Sequence, residues 1–268
     1  MKRIIFLLLA VSFITACSRN TITGRKQLKL FPESTLQQQA LTQYQSFLSQ
    51  NKVVNSTSNK DAEMVNRVGL RISKAITNYY TQRGLGEELN GYKWEFNLID
   101  SKEVNAWCMP GGKVVVYTGL LAITQNEAAL AVVMGHEIAH AVTHHGNERI
   151  SQGALAQGLE IAGTIFTSGN PKANDLFTNI FAPTAQVAVL LPNSRNQELE
   201  ADKYGLNFAA MAGYNPREAV PFWQRMAAAS NGQKPPEFLS THPSDEKRIA
   251  KLEEMMPEAL SYYKPVGK

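Results

Sequence analysis

His136-Glu137-Ile138-Ala139-His140 reads H-E-x-x-H in the middle of a long helical pattern. The run from Thr124 to His144 contains no proline. Thr124 with Glu127 three residues on predicts a capping-box start. Ala128, Leu130, Ala131, Val132, Val133 and Met134 then form the apolar body of a buried helix. Residues four apart lie on one helical face, so His136 and His140 can hold one metal ion together. Glu137 is turned from that face by about 100° and can reach water on the ion without being a ligand. This arrangement suits zinc-dependent hydrolysis. Three fixed positions also match by chance, but the surroundings are not random. His136, His140, His144 and His145 all fall in or just after this helix, and His242 is the only other histidine in the chain.

A catalytic zinc takes three protein ligands and keeps one position for water, so two imidazoles are not enough. The stretch Ser194-Arg195-Asn196-Gln197-Glu198-Leu199-Glu200-Ala201-Asp202 reads as a helix opened by its own capping box, Ser194 with Gln197. Glu198 and Asp202 share one face. Glu198 can therefore bind the ion while Asp202 accepts the other ring N–H of a ligand histidine. Glu200 points away from both and is expected in solvent. Taken alone, an E-x-x-x-D pair is more often an exposed charged face.

Length and composition place these motifs in one globular domain with short appendages. The 268 residues are 44% hydrophobic and 19% charged, ordinary for a packed protein. The net charge is +4, loss of Lys2 and Arg3 would narrow it, and no basic cluster stands out, so no nucleic-acid partner is expected. Residues 1–17 read as a targeting segment: Lys2 and Arg3, then an apolar Ile4–Ile14 too short to span a bilayer. Ile14-Thr15-Ala16-Cys17 resembles a bacterial lipobox, which predicts cleavage before Cys17, lipid on that residue and, with Ser18 following, sorting to the outer membrane. An ordinary secretory leader is the alternative. Cys108 is then the one remaining cysteine, with no internal partner for a disulfide; in an apolar strand it reads as a small buried hydrophobe.

Residues 18–34 read as a polar tether, 35–256 as the domain and 257–268 as a loose tail. Helices are predicted over 35–49 and 61–82 from apolar spacing. Trp94, Phe96 and Leu98 alternate with polar residues as in a strand with one buried face. Runs at 104–109 and 113–118 flank the turn signal Pro110-Gly111-Gly112, giving a hairpin just before the metal helix. Such a hairpin is either structural or an edge on which an extended substrate adds as a strand. Residues 146–192 carry few charges and recurrent Gly and Pro. Weak helices at 148–167 and 172–190 are expected there, either buried or forming a lid. Asn215-Pro216 opens a helix running to about 229, and Ser244 caps a last helix ending near 256.

Four motifs in fixed order now carry a resemblance. They are Asn105-Ala106-Trp107-Cys108-Met109-Pro110-Gly111-Gly112, H-E-I-A-H, S-R-x-x-E-x-E-A-D-x-x-G and Thr241-His242-Pro243. Together, over about residues 20–255, they resemble the zinc metalloendopeptidase family of the CAAX prenyl proteases and their soluble bacterial relatives. The nearest likeness is to the periplasmic lipoprotein branch that includes the β-barrel assembly-enhancing proteases. Thr23-Gly24-Arg25-Lys26-Gln27-Leu28 also resembles that branch. The resemblance implies an α+β, mostly helical, gluzincin-like zinc peptidase with a small sheet beside the H-E-x-x-H helix. It implies one Zn²⁺ on His136, His140 and Glu198, with Glu137 as base. Asp202 and Arg195 would stand behind the ligands, and Asn105, Ala106 and Trp107 would meet substrate. His242 would lie near the metal, either holding the developing oxyanion or capping the open position at rest. His144 and His145 match no family ligand and are expected at the surface or behind the ligands. The chain lacks the transmembrane helices of the prenyl proteases, so a CAAX substrate is not expected. The implied function is cleavage of unfolded or misassembled envelope proteins at the periplasmic face of the outer membrane, in reach of its assembly machinery. The alternative is a chaperone-like assembly factor whose zinc is latent beneath His242.

Overall fold

The computed structural model describes residues 17–156, 194–229, 238–239, 242 and 246–265. The leader before Cys17, most of the expected lid, Thr241, Pro243 and the expected cap Ser244 lie outside the described residues.

The metal helix is the core of the fold. It is α4 (Glu127–Val142), preceded by α3 (Thr118–Thr124), and every α4 residue from Ala129 to Val142 is buried. Thr124 ends α3 rather than opening α4. The cap is Asn126, whose Oδ1 accepts from the Ala129 amide at 2.8 Å, because a left-handed residue, Gln125 with φ 63°, separates the two helices. At the other end His144, with φ 60°, breaks the helical path two residues after α4. α5 (His145–Ala156) then departs in a new direction. Carbonyls at a helix end need outside partners. Tyr92 donates to Ala141 at 2.9 Å, Tyr80 to Val142 at 3.2 Å, and Asn20 and Gln27 to Thr143 at 3.0 and 2.8 Å.

A four-stranded sheet lies beside α4, in the order β3 (Val53–Val54), β4 (Glu95–Ile99), β6 (Lys113–Tyr117), β5 (Ala106–Met109). β4 and β6 run parallel; β5 closes the expected hairpin on β6 with Ala106 opposite Val116. Its turn holds Gly111 and Gly112 at φ 84° and 82°, the left-handed region that favours glycine. Alternate residues split the sheet between two cores. Phe96, Leu98, Val114 and Val116 join α2 (Lys60–Gln82) and α4. Ile99, Met109, Val115 and Tyr117 face Leu36, Ala40 and Tyr44 of α1 (Glu33–Gln50). β4 keeps the expected alternation from Glu95, exposed, to Leu98, buried, and departs from it at Ile99, which is buried against α1.

α6 (Ser194–Met211) crosses α4. A short turn at Pro216–Glu218, then α7 (Ala219–Ala228) and α8 (Glu246–Tyr262), complete the helical side. α8 does not stop near 256. It continues through Pro257, and Ala259 is buried, so the first part of the expected loose tail is packed helix.

The expected tether is also folded. β1 (Cys17–Arg19) pairs antiparallel with β2 (Lys26–Leu28). Asn20 and Gln27 from this hairpin are buried and hold the Thr143 carbonyl. Three-residue polar strands carry no alternation to read, and their partners lie more than a hundred residues away. Among the described residues no helix is long and apolar enough to cross a membrane.

Candidate metal centre

Two glycines bring the site together. Gly135 of α4 and Gly205 of α6 meet back to back. A Cβ on Gly135 would lie 2.6 Å from the Gly205 carbonyl, and one on Gly205 only 2.7 Å from the His136 amide. With no side chains between them the helix backbones touch. Glu198 and Asp202, two turns and one turn before Gly205, then stand against His136 and His140.

The result is a buried cluster in which ligand atoms of His136, His140, Glu198 and His242 all lie within 4.8 Å of one another. His136 Nε2 and His140 Nε2 are 3.1 Å apart, and each is 3.3 Å from an oxygen of Glu198. Two bonds of zinc length at tetrahedral angles span about 3.3 Å between ligand atoms, so the donors have the right spacing. His136 Nδ1 meets Asp202 Oδ1 at 2.9 Å, which aims its other nitrogen at the cluster. The charge also fits. Burial opposes a proton on His136, but Asp202 and Glu198 outweigh it and push the imidazole up to about 9. Burial likewise resists ionisation of Glu198, yet His242 and His140 hold its carboxyl well below the usual range. The pocket is built for one positive charge, and a divalent cation would serve as well as a proton.

Glu137 lies beside this cluster. It is buried, and its Oε1 has no hydrogen-bond partner, although His242 Nε2 is 3.3 Å away. Burial pushes its carboxyl above the ordinary range. A buried acceptor left unpaired is costly and marks a group held ready for a proton. His242 bridges both parts: its Nδ1 is 2.6 Å from Glu198 Oε2 and 3.1 Å from His136 Nε2. Its amide donates to the Phe238 carbonyl, and the Phe238 amide to Val104 just before β5.

Other expected residues are placed differently. Arg195 is exposed at the start of α6. The guanidinium behind Asp202 is Arg248 of α8, donating from Nε and Nη2 at 2.8 and 2.7 Å while stacked 3.7 Å over Trp223. A second arginine, Arg149 of α5, reaches Glu198 Oε1 at 3.4 Å. Glu200 is not in solvent; it is half-buried and accepts from Arg25 at 2.8 Å and contacts His145 at 2.9 Å. His144 and His145 are both buried, so neither is at the surface. His145 Nδ1 lies 2.8 Å from His140 Nδ1, and His144 lies between Glu33 and Glu88 at 3.0 and 3.3 Å.

On β5, Ala106 is buried and Asn105 Oδ1 is turned back onto the Ala106 amide at 2.9 Å. Trp107 packs edge-on against Tyr44 and Phe47, so its ring braces the far side of the sheet. Among the described residues β5 is nonetheless an edge strand. Cys108 on it is a half-buried free thiol, raised first by burial and then by the nearby charge of Glu137. Arg248, Arg149 and the pair His145–Glu200 had no signal in local spacing, since each joins elements distant in sequence.

Residues 71–256 match the model of peptidase family M48. The mitochondrial metalloendopeptidase OMA1 of Schizosaccharomyces pombe is 36% identical over 191 residues, 71% of this chain and 53% of the relative. The mitochondrial metalloendopeptidase OMA1 of Bos taurus is 31% identical over 276 residues, 95% of this chain and 49% of the relative. The β-barrel assembly-enhancing protease of Escherichia coli is 30% identical over 185 residues, 65% of this chain and 38% of the relative. The chain thus spans about half the length, or less, of these relatives.

Proposed function

Because the chain belongs to peptidase family M48, we propose that it is a zinc metalloendopeptidase cleaving unfolded or misassembled envelope proteins from the periplasmic face of a bacterial outer membrane. The lipobox-like Ile14–Cys17 supports the compartment, with lipid on Cys17 as the anchor. The likeness to the β-barrel assembly-enhancing protease supports the substrate class and a place near outer-membrane assembly machinery. The OMA1 relatives support the same chemistry in another compartment.

One observation carries the reading: two imidazoles and a carboxylate converge at zinc spacing while an unpaired, proton-seeking Glu137 lies alongside. His136, His140 and Glu198 would hold the ion. Zinc bound there supplies Lewis acidity, acidifying water and polarising a carbonyl. Glu137 takes the proton of the attacking water on Oε1 and passes it to the leaving amine. Asp202, gripped by Arg248, keeps His136 in one orientation. His242, within reach of Glu137, donates to the negative charge growing on the carbonyl oxygen. The β5 edge aligns an extended peptide through its backbone, with Ala106 as a small floor. Asn105 and Trp107 flank Ala106 along this edge.

A second reading has its own support. His242 Nδ1 stands among the ligand atoms, and four protein ligands make a closed site. Such a site suits a latent assembly factor. Incubation with an unfolded outer-membrane protein, with and without chelator, decides between them. Chelator-sensitive cleavage is expected; binding without cleavage in zinc-replete protein would favour the latent factor.

A further inference from the structure

The mechanism above makes no use of His145. It is fully buried at the first residue of α5, turned back on α4 by the left-handed His144. Its two ring nitrogens have one neighbour each: His140 Nδ1 at 2.8 Å from Nδ1, and Glu200 Oε2 at 2.9 Å from Nε2. The other oxygen of Glu200 accepts from Arg25 Nε at 2.8 Å, and the rest of that guanidinium binds both oxygens of Glu148 at 2.6 Å. Resting on the metal-centre reading, we propose that Arg25, Glu200 and His145 together decide which nitrogen of His140 is bare. His145 is then a positioning residue for the metal, and the N-terminal hairpin is part of the centre.

The argument runs inward from the far end. Arg25 can only donate, and an ionised carboxylate can only accept. Glu200 therefore accepts on both sides, and His145 must carry its hydrogen on Nε2. A neutral imidazole with hydrogen on Nε2 has a lone pair on Nδ1. Two ring nitrogens 2.8 Å apart share one hydrogen, so His140 supplies it from its own Nδ1. The lone pair of His140 is thereby placed on Nε2, the atom that faces His136 and Glu198. For His136, Asp202 does this in one step: it accepts at Nδ1 and leaves Nε2 as the atom from which an incoming ion displaces a proton. The two ligands thus differ in what backs them, an anion for His136 and a neutral ring for His140.

The test uses full-length protein and two readouts: zinc affinity by chelator competition, and the visible absorption of the cobalt-substituted protein. Glu200→Gln preserves shape but leaves one oxygen for two donors. With Arg25 taking that oxygen, the amide NH₂ turns to His145, reverses the order of hydrogens and puts one on His140 Nε2. Zinc binding should weaken about 10–100-fold, the usual cost of losing such a partner, with an altered cobalt spectrum. His145→Leu should do likewise. Adding Arg25→Met to Glu200→Gln releases the oxygen to His145 and should recover affinity and spectrum in part; a merely structural role predicts a further loss. Thermal melts of the metal-free variants confirm folding, and if His145→Leu does not fold, the Glu200→Gln pair carries the test. Wild-type affinity and spectrum in Glu200→Gln, or a double variant weaker than the single, would overturn the proposal. Wild-type protein that takes up no zinc would instead sink the metal-centre reading itself.

Discussion

At the scale of single residues, the site separates holding from reacting. Glu137 Oε1 makes no hydrogen bond, with His242 Nε2 3.3 Å away. Glu137→Gln should keep zinc and lose cleavage by about 10²–10⁴-fold, measured as metal content beside turnover of an unfolded substrate. Asp202→Asn removes the anion between Arg248 and His136; zinc affinity should fall about 10–100-fold. His136, pushed up to about 9, sets the pH dependence. Below that value it holds a proton that zinc must displace, so affinity should rise about tenfold per pH unit until near 9, with one proton released on binding. Titrations in two buffers of different ionisation enthalpy measure that proton; none released would refute the assignment. His136, Glu137, His140, Glu198 and Asp202 were all legible in the sequence, because each pair is four or fewer positions apart on one helix. Arg248 and the pairing of His145 with Glu200 were not, because these partners are set by how helices cross.

At the scale of elements, the crossing of α4 and α6 places the carboxylates. It depends on Gly135 and Gly205, the second of which is the last position of the S-R-x-x-E-x-E-A-D-x-x-G motif. Gly205→Ala drives a methyl group against the His136 amide, where only 2.7 Å is available. Overpacking of this kind costs about 1–3 kcal/mol. The variant should melt lower and bind zinc more weakly than wild type, read by calorimetry with and without chelator. The helices and the β5–β6 hairpin followed from periodicity and turn residues. Helix ends did not: Asn126 capped α4 where Thr124 was expected, since Gln125 in a left-handed conformation restarts the chain between them.

At the scale of the whole molecule, distant parts of the chain meet on the α4–α6 pair. The β1–β2 hairpin satisfies the Thr143 carbonyl, α8 brings Arg248, and His242 stands among the ligand atoms. Such a site binds metal only when the whole domain is assembled, so zinc should stabilise the native state as one unit. A thousandfold excess over the dissociation constant corresponds to about 4 kcal/mol, and chelation should lower a single melting transition without splitting it. The hairpin escaped the sequence reading for the same reason: its strands are too short to show a period, and what holds them lies across the fold.

That hairpin is short. β1 begins at Cys17, and the same short ribbon places Arg25 against Glu148 and Glu200. The backbone from Cys17 to Leu28 is thus tied to α5 and α6 through the ion pairs of Arg25. If Cys17 carries the lipid proposed above, little more than this ribbon separates the bilayer from the α4–α6 pair, and polypeptides would meet the site close to the membrane surface.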